Sequence, residues 1–275
     1  MPQSAEVLEA SSFKIRFLNT WTNTAIIKDS YIIDQETFSL SPLLEYGLSE
    51  DSSAGVEIPI LWKGGGRLDG FIDSWHSFFG LPYGDRRRLD DDKNLVSGIQ
   101  SNGKGFDFNE SGWGFSSPIL KLKYQAFEFS KEKISLLSEV SLPSLNSKYG
   151  HDGTDLSLGL IASYVGTWFK LHKGISFFYY TDNKKDNLEY EAFHVEGYAL
   201  AEASLAQKLS LYLGLSGASS MLKKLPEHSD YQSYLDLGLS ADISGLILDF
   251  GIREDISPGD SSADISFILN VRSIF

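Results

Sequence analysis

The chain has 275 residues, no cysteine and a formal net charge of -13 at neutral pH, with 42% of its residues hydrophobic and 13% aromatic. The lack of thiols excludes disulfides and thiolate metal sites, and an acidic chain without a basic patch argues against a nucleic-acid partner, whose phosphates it would repel. No uncharged apolar run approaches the roughly 18 residues a membrane helix needs, so any spanning must be done by strands.

Residues 1–12 lack a basic stretch followed by an apolar one, so no signal peptide is visible, and the sequence reads as the mature form of an exported chain carrying an added Met1. Phe13, Ile15, Phe17 and Trp21 then alternate with Lys14, Arg16 and Thr20, a period of two that gives a strand one oily and one wet face. A second strand at 37–48 puts Phe38, Leu40, Leu44 and Tyr46 on its oily side, and a third at 54–62 sets Val56, Ile58, Ile60 and Trp62 against Glu57. The alternation breaks for some fifty residues and resumes at 115–127, where Leu120, Leu122 and Tyr124 oppose Lys121, Lys123 and Gln125. Further strands are predicted at 134–142, 155–168, 173–181, 192–206, 209–219, 231–243, 246–254 and 264–275, about twelve in all. The last sets Ile265, Phe267, Leu269, Val271 and Phe275 against Asp264, Ser266, Asn270 and Arg272. It resembles the closing strand of a bacterial outer-membrane barrel, in which a terminal Phe is part of the insertion signal.

The connections alternate in length, as the short periplasmic turns and long external loops of such barrels do. Links at 49–53, 128–133, 169–172, 207–208 and 244–245 are short, whereas 22–36, 143–154, 182–191, 220–230 and 255–263 are longer and polar. Trp21, Tyr46, Trp62, Trp168 and Tyr179 fall near strand ends, the level that amphipathic rings prefer. A soluble sandwich or lipocalin-like barrel would have to enclose a very large dry interior with twelve such strands. The expectation is an all-β, single-domain, monomeric transmembrane barrel of about twelve antiparallel up-and-down strands in the bacterial outer membrane. Strands one to three occupy 13–62, a helical insert 63–113 and strands four to twelve 114–275.

Within the insert, Leu68, Phe71, Ile72, Trp75, Phe78 and Phe79 recur at steps of three and four, with Asp69, Asp73 and His76 on or near the other side, and Gly80, Leu81 and Pro82 follow. That is an amphipathic helix over 66–80. Two placements are open: packed on the barrel rim or dipping into outer-leaflet lipid, or folded inward as a plug or constriction. The stretch GGRLDGFIDSWHSFFGLPYGDR, preceded by EYGLSEDSSAGVEIPI and followed by SGWGFSSPILKLKYQ, resembles a bacterial family of predicted outer-membrane barrels known only as a domain of unknown function, DUF3187, marked by a GG-x-LDGFI-x-x-WH-x-FFGLP insert. The resemblance implies the barrel and brings no activity, substrate or cofactor. The run Asp90, Asp91, Asp92 after the arginines departs from that pattern.

Arg86, Arg87 and Arg88 could hold a phosphorylated lipid headgroup, and Asp90, Asp91 and Asp92 a calcium ion; equally, the two runs neutralise each other on a solvated loop. A lipid hydrolase of the outer-membrane phospholipase kind needs a Ser two residues from a His on a strand, but Gly153 stands there after His151, and the histidines lack metal-ligand spacing. The predicted wet faces carry Lys14, Arg16, Lys121, Lys123, Arg253 and Arg272 together with Glu45, Glu57, Glu196, Glu202, Asp236 and Asp242. These groups either pair and lock a closed barrel or set a transverse field across a narrow pore. The leading expectation is a passive channel for small polar or charged solutes, restricted by the helix. A closed structural or lipid-interacting barrel comes second and a lipid hydrolase third. No cofactor or metal is expected; the expected partners are outer-membrane lipid or lipopolysaccharide, the insertion machinery and small solutes.

Overall fold

The structure is a computed structural model that describes residues 4–80, 88–89, 93–144, 148–182, 184–185, 187–223, 225, 228, 231–257 and 265–275. In chain order its elements are β1 (Phe13–Lys28), β2 (Tyr31–Ser49), β3 (Ser52–Glu57), β4 (Ile60–Gly64), α1 (Asp69–Phe79), β5 (Leu95–Ile99), β6 (Gly105–Asp107), β7 (Gly112–Phe115) and β8 (Ile119–Phe129). There follow β9 (Glu132–Ser141), β10 (Asp155–Val165), β11 (Phe169–Tyr179), β12 (Lys184–Lys185), β13 (Leu188–Glu189), β14 (Phe193–Ala206), β15 (Leu209–Ser219), β16 (Tyr231–Ile243), β17 (Leu246–Asp255) and β18 (Ile265–Ile274). Each barrel strand pairs antiparallel with its neighbours, and β1 pairs with both β2 and β18, so the sheet closes. Counting β3 with β4 and β7 with β8 as single broken staves, and leaving out β5, β6, β12 and β13, gives twelve staves. The breaks fall at Pro59 and Pro118, which have no N–H to give to a ladder; the carbonyl of Pro59 still accepts from Ser116 N at 2.8 Å.

Alternation fixes which side chains face in. Phe13, Ile15 and Phe17 of β1, Leu44 and Tyr46 of β2, and Leu235, Leu237 and Leu239 of β16 are all exposed on the outer surface. Residues of the opposite parity along the staves, among them Glu45, Lys123, Asp236, Asp249 and Asn270, are buried inside. Apolar outside and polar inside is the inverse of a soluble protein, and an exposed apolar belt of this extent calls for lipid against it.

Three expectations about boundaries are corrected. The 22–36 segment is not a loop: β1 and β2 run on to a tight turn at Asp29 and Ser30, paired from Asn23↔Glu36 to Lys28↔Tyr31. Alternation of oily and wet is lost there because both faces of the ribbon are covered by protein, so the period-two signal that marks a lipid-facing strand disappears. β11 begins at Phe169, not 173, with the turn at 166–168. The insert also contains β5, which pairs with the outer end of β2, and β6.

Candidate functional site

The lumen is filled unevenly. Segment 4–12, which precedes β1, crosses the periplasmic mouth and enters the barrel. It first lies against β2, where Ser11 N donates to Gly47 O at 2.9 Å and Gly47 N to Ser12 O at 3.0 Å. A Cβ on Gly47 would fall 2.0 Å from Glu9 O, so only glycine admits the crossing there. The segment then reaches the far wall. Ala5 N donates to Ser163 Oγ at 2.9 Å, Ser135 Oγ donates to Ala5 O, and Lys123 Nζ donates to Ser4 O at 3.1 Å and Glu6 O at 3.2 Å. Ala5 is buried with Leu137 and Ile161, the inward apolar residues of β9 and β10. Short polar residues held by their backbones are what a wet wall can grip, because each buried peptide group needs a partner.

Directly above the segment lies a cavity of about 210 Å3 lined by Lys14, Arg16, Glu45, Lys121, Lys123 and Arg272 on one side and His172, Glu202, Tyr212 and Asp249 on the other. The charges around it are paired, except Lys123, which is held by the backbone of the inner segment. Lys14 meets Glu45, Arg16 Nη2 reaches Glu57 at 2.8 Å, and Lys121 bridges Glu57 at 3.0 Å and Glu139 at 2.8 Å, a ladder running from β1 to β9 along the inner wall. Arg253 pairs with Asp236 at 2.8 Å, Arg272 with Asp249 at 3.4 Å and Lys170 with Glu202 at 3.1 Å. Apart from Lys123 and Asp242, the inner charges anticipated from sequence therefore meet as neighbours in ion pairs and do not form separated fields. Glu196 faces inward near the outer end of β14 and pairs with His194 at 3.1 Å. Asp242 is not on the lumen wall: it sits at the periplasmic turn, accepting from Gly245 N at 2.9 Å.

Two Ser–His–Glu chains were invisible in the sequence because each serine sits on a different stave from its histidine. Ser163 Oγ lies 2.8 Å from His172 Nδ1, with Glu202 3.9 Å from Nε2; Ser219 Oγ lies 3.2 Å from His194 Nδ1, with Glu196 3.1 Å from Nε2. Ser163 also accepts Ala5 N–H and Ser219 accepts Val195 N–H, so both hydroxyls serve the backbone. His151 gives its ring to Asp155 at 2.8 Å, and Ser117 bonds the backbone of His151, not its ring.

The outer mouth is crossed by the β1–β2 ribbon. Ile26 and Tyr31 bury themselves with Phe106 of β6, Leu188 of β13 and Leu225, which brings loops from opposite sides of the barrel into one cluster. Tyr31 Oη lies 3.0 Å from His228 Nδ1, and Gln100 is tied to the backbone of Asn187 and Glu189. Farther out, the Lys148 ammonium is held above its usual pKa by a hydrogen bond to Glu110.

Helix α1 does not enter the lumen. Leu68 and Ile72 pack on Ile265, with Trp21, Ile252 and Phe267 beside them, and all of these strand residues share the outward face of their staves. Phe71 meets Phe267 edge-on at 5.3 Å. The plug placement of Leu68, Asp69, Phe71, Asp73, Trp75, His76 and Phe79 is thus set aside: the helix is clasped to the outer wall. The helix is also not simply amphipathic: Leu68 and Ile72 face the wall as expected, but polar residues join them there. Asp69 and His76 are buried, whereas Phe71, Phe78 and Phe79 are exposed. Buried on the outer wall, Glu36 accepts Leu68 N and takes Trp21 Nε1 at 3.1 Å, while Asn23 Nδ2 donates to Asp69 Oδ1 at 3.2 Å and His76 faces Glu254 at 3.6 Å. A carboxylate at the helix N-terminus replaces the side-chain cap that Leu68 cannot supply, and Gly80, at φ 68°, closes the other end. Of the Arg86–Asp92 run, Arg86, Arg87, Asp90, Asp91 and Asp92 lie outside the described residues, and Arg88 is exposed.

A closed twelve-stave sheet, oily outside and ion-paired inside, is the fold of an outer-membrane β-barrel channel. Comparison with solved structures agrees. The outer membrane channel COG4313 from Pseudomonas putida F1 superposes with a TM-score of 0.65 at 10% identity, covering 100% of this chain and 99% of that one. The NanC porin gives 0.54 at 7% identity over 95% and 98%, and the translocator domain of the autotransporter NalP from Neisseria meningitidis 0.52 at 9% over 98% and 90%. The chain belongs to the DUF3187 family of proteins of unknown function, whose model matches residues 1–275. No curated protein matches its sequence.

Proposed function

We propose that this protein is a narrow outer-membrane channel for small polar solutes, throttled at its periplasmic mouth by segment 4–12. The observation that carries the reading is the charged cavity whose floor is that segment, because a polar, ion-lined space at the axis of a barrel is a place for hydrated solutes and its floor hangs on a few hydrogen bonds. The likeness in fold to a protein described as an outer membrane channel and to a porin supports it. A second reading, a closed structural barrel, draws support from the Lys14–Glu45, Arg16–Glu57 and Lys121–Glu139 ladder, which ties five staves together across the inner wall.

Single-channel conductance in a planar bilayer separates the two. The refolded chain and a variant lacking residues 4–10 are compared; a low conductance that rises on deletion supports the throttled channel. Silence from both proteins would leave the closed barrel standing.

A further inference from the structure

We propose that the outer wall at the periplasmic end of β9, β10 and β11 binds an amine-bearing zwitterionic phospholipid, its phosphate on Lys173 and its ammonium on Glu132. The outward face of β11 reads Leu171, Lys173, Ile175, Phe177 and Tyr179, and the four uncharged members are exposed to the surroundings of the barrel. Lys173 stands among them at the same face, since His172 and Gly174 on either side of it point inward. A cation on a lipid-facing wall is unfavourable unless it reaches the headgroups. Four residues of a tilted strand separate it from the start of β11, roughly 10 Å along the barrel axis, within reach of an extended lysine that bends toward the periplasmic surface.

The two lysines beside it on the staves, Lys133 and Lys170, are occupied. Lys133 is held by Glu128 at 3.8 Å and Lys170 by Glu202 at 3.1 Å, both on the inner side, whereas Lys173 has no carboxylate within ion-pair distance among the described residues. Beside it opens a groove of about 330 Å3, floored by Ala162 and bounded by Ile134, Tyr164 and Leu171. The register places Ile134, Ala162 and Lys173 in one row across the wall and Glu132, Tyr164 and Leu171 in the next row toward the periplasm. Tyr164 stacks on Phe169 at 5.4 Å, which gives the groove a rigid flank. Ala162 leaves room for an acyl chain between larger neighbours.

The order of charges decides the headgroup. Lys173 is the deeper group and Glu132 the shallower, one row nearer the water. In an ethanolamine phospholipid the phosphate adjoins the glycerol and the ammonium lies beyond it, so the two charges meet their complements in the same order. A choline headgroup carries its positive charge without N–H donors and cannot form the charge-assisted hydrogen bond to Glu132; a purely anionic headgroup would meet Glu132 as a like charge.

Native mass spectrometry of the full chain, released from detergent containing equimolar ethanolamine, choline and glycerol phospholipids of the same acyl chains, tests the assignment. Retention of the ethanolamine lipid should exceed the choline lipid by about threefold, the scale of one partly exposed charge pair. Lys173→Gln should lower retention of all three lipids, because each carries the phosphate, Glu132→Gln should abolish the preference for the ethanolamine lipid over the choline and glycerol lipids, and Ala162→Leu should lower all three by filling the groove. Heat-modifiable gel migration verifies that each variant is folded, and Lys173→Arg should retain the wild-type order. Equal retention of all three lipids by the wild type, preference for the glycerol lipid, or a folded Lys173→Gln variant that behaves as wild type would each overturn the proposal.

Discussion

Two segments outside the barrel sheet lie against its wall, and they do so by opposite chemistry. Segment 4–12 lies inside and is held through its own peptide groups by the wall's side chains, Lys123, Ser135 and Ser163. Helix α1 lies outside, has its peptide groups satisfied internally, and uses side chains to grip a buried polar patch of the wall, Asn23 and Glu36. The difference follows from the solvent on each side. Next to lipid, a segment must bond its own backbone and present apolar surface, which a helix with outward Phe71, Phe78 and Phe79 does. Inside a wet lumen, an irregular strand can leave its backbone to be bonded by the wall.

The contrast can be broken at several points. The largest effect is expected from removing residues 4–10, which should raise conductance several-fold, whereas removing 66–80 should leave conductance unchanged; an increase on helix removal would return that helix to the pore. Glu36→Ala should come next. It strips the helix N-terminus and Trp21 of a fully buried acceptor, at a cost of about 1–3 kcal/mol, read as a lower temperature for conversion to the unfolded gel band and faster proteolysis within 64–80. Lys123→Met should remove the donor to Ser4 and Glu6 and loosen the inner segment, seen as brief openings in single-channel records of an otherwise normally folded barrel. The smallest change is expected of Glu57→Gln. With Arg16 no longer neutralised and Lys121 left to Glu139 alone, the lumen gains positive charge, and the reversal potential in a salt gradient should move toward the anion potential with little change in conductance.

The parts of the molecule that touch lipid were legible in the sequence, and those that touch other protein were not. Alternation in Phe13–Phe17, Leu235–Leu239 and Leu246–Phe250 announced staves because one face meets hydrocarbon and the other water. Where Ile26 and Tyr31 are covered by loops on one face and Asn23 and Glu36 by a helix on the other, the same strands read as a polar loop. The helix itself was plain from its spacing, but its orientation was not, since nothing in Asp69 or His76 tells that the wall opposite offers Asn23 and Glu254. Lys14, Arg16, Glu45, Glu57, Lys121 and Lys123 could be placed on inner faces by parity alone; their pairing required the cross-strand register. Segment 4–12 carried no signal, because a lumenal strap of Ser, Ala and Glu with a single Val-Leu pair looks like any solvated terminus.

The seam of the barrel carries a consequence for assembly. Phe13 and Phe275 exchange backbone hydrogen bonds at 3.0 and 2.8 Å where β1 meets β18, and the strap leaves β1 at that same point. The walls it grips, β8 to β10, are the fourth to sixth of the twelve staves counted from β1, close to the opposite side of the cylinder and joined to β1 through β2 and β3. In an open sheet these six staves lie on a gentler arc and β8 to β10 stand farther from β1, so the strap spans to its full seat only when the first and last staves zip together and the arc takes its final curvature. Shutting the cylinder and stoppering it are thus successive results of one event, and a barrel caught before its seam closes is expected to leak.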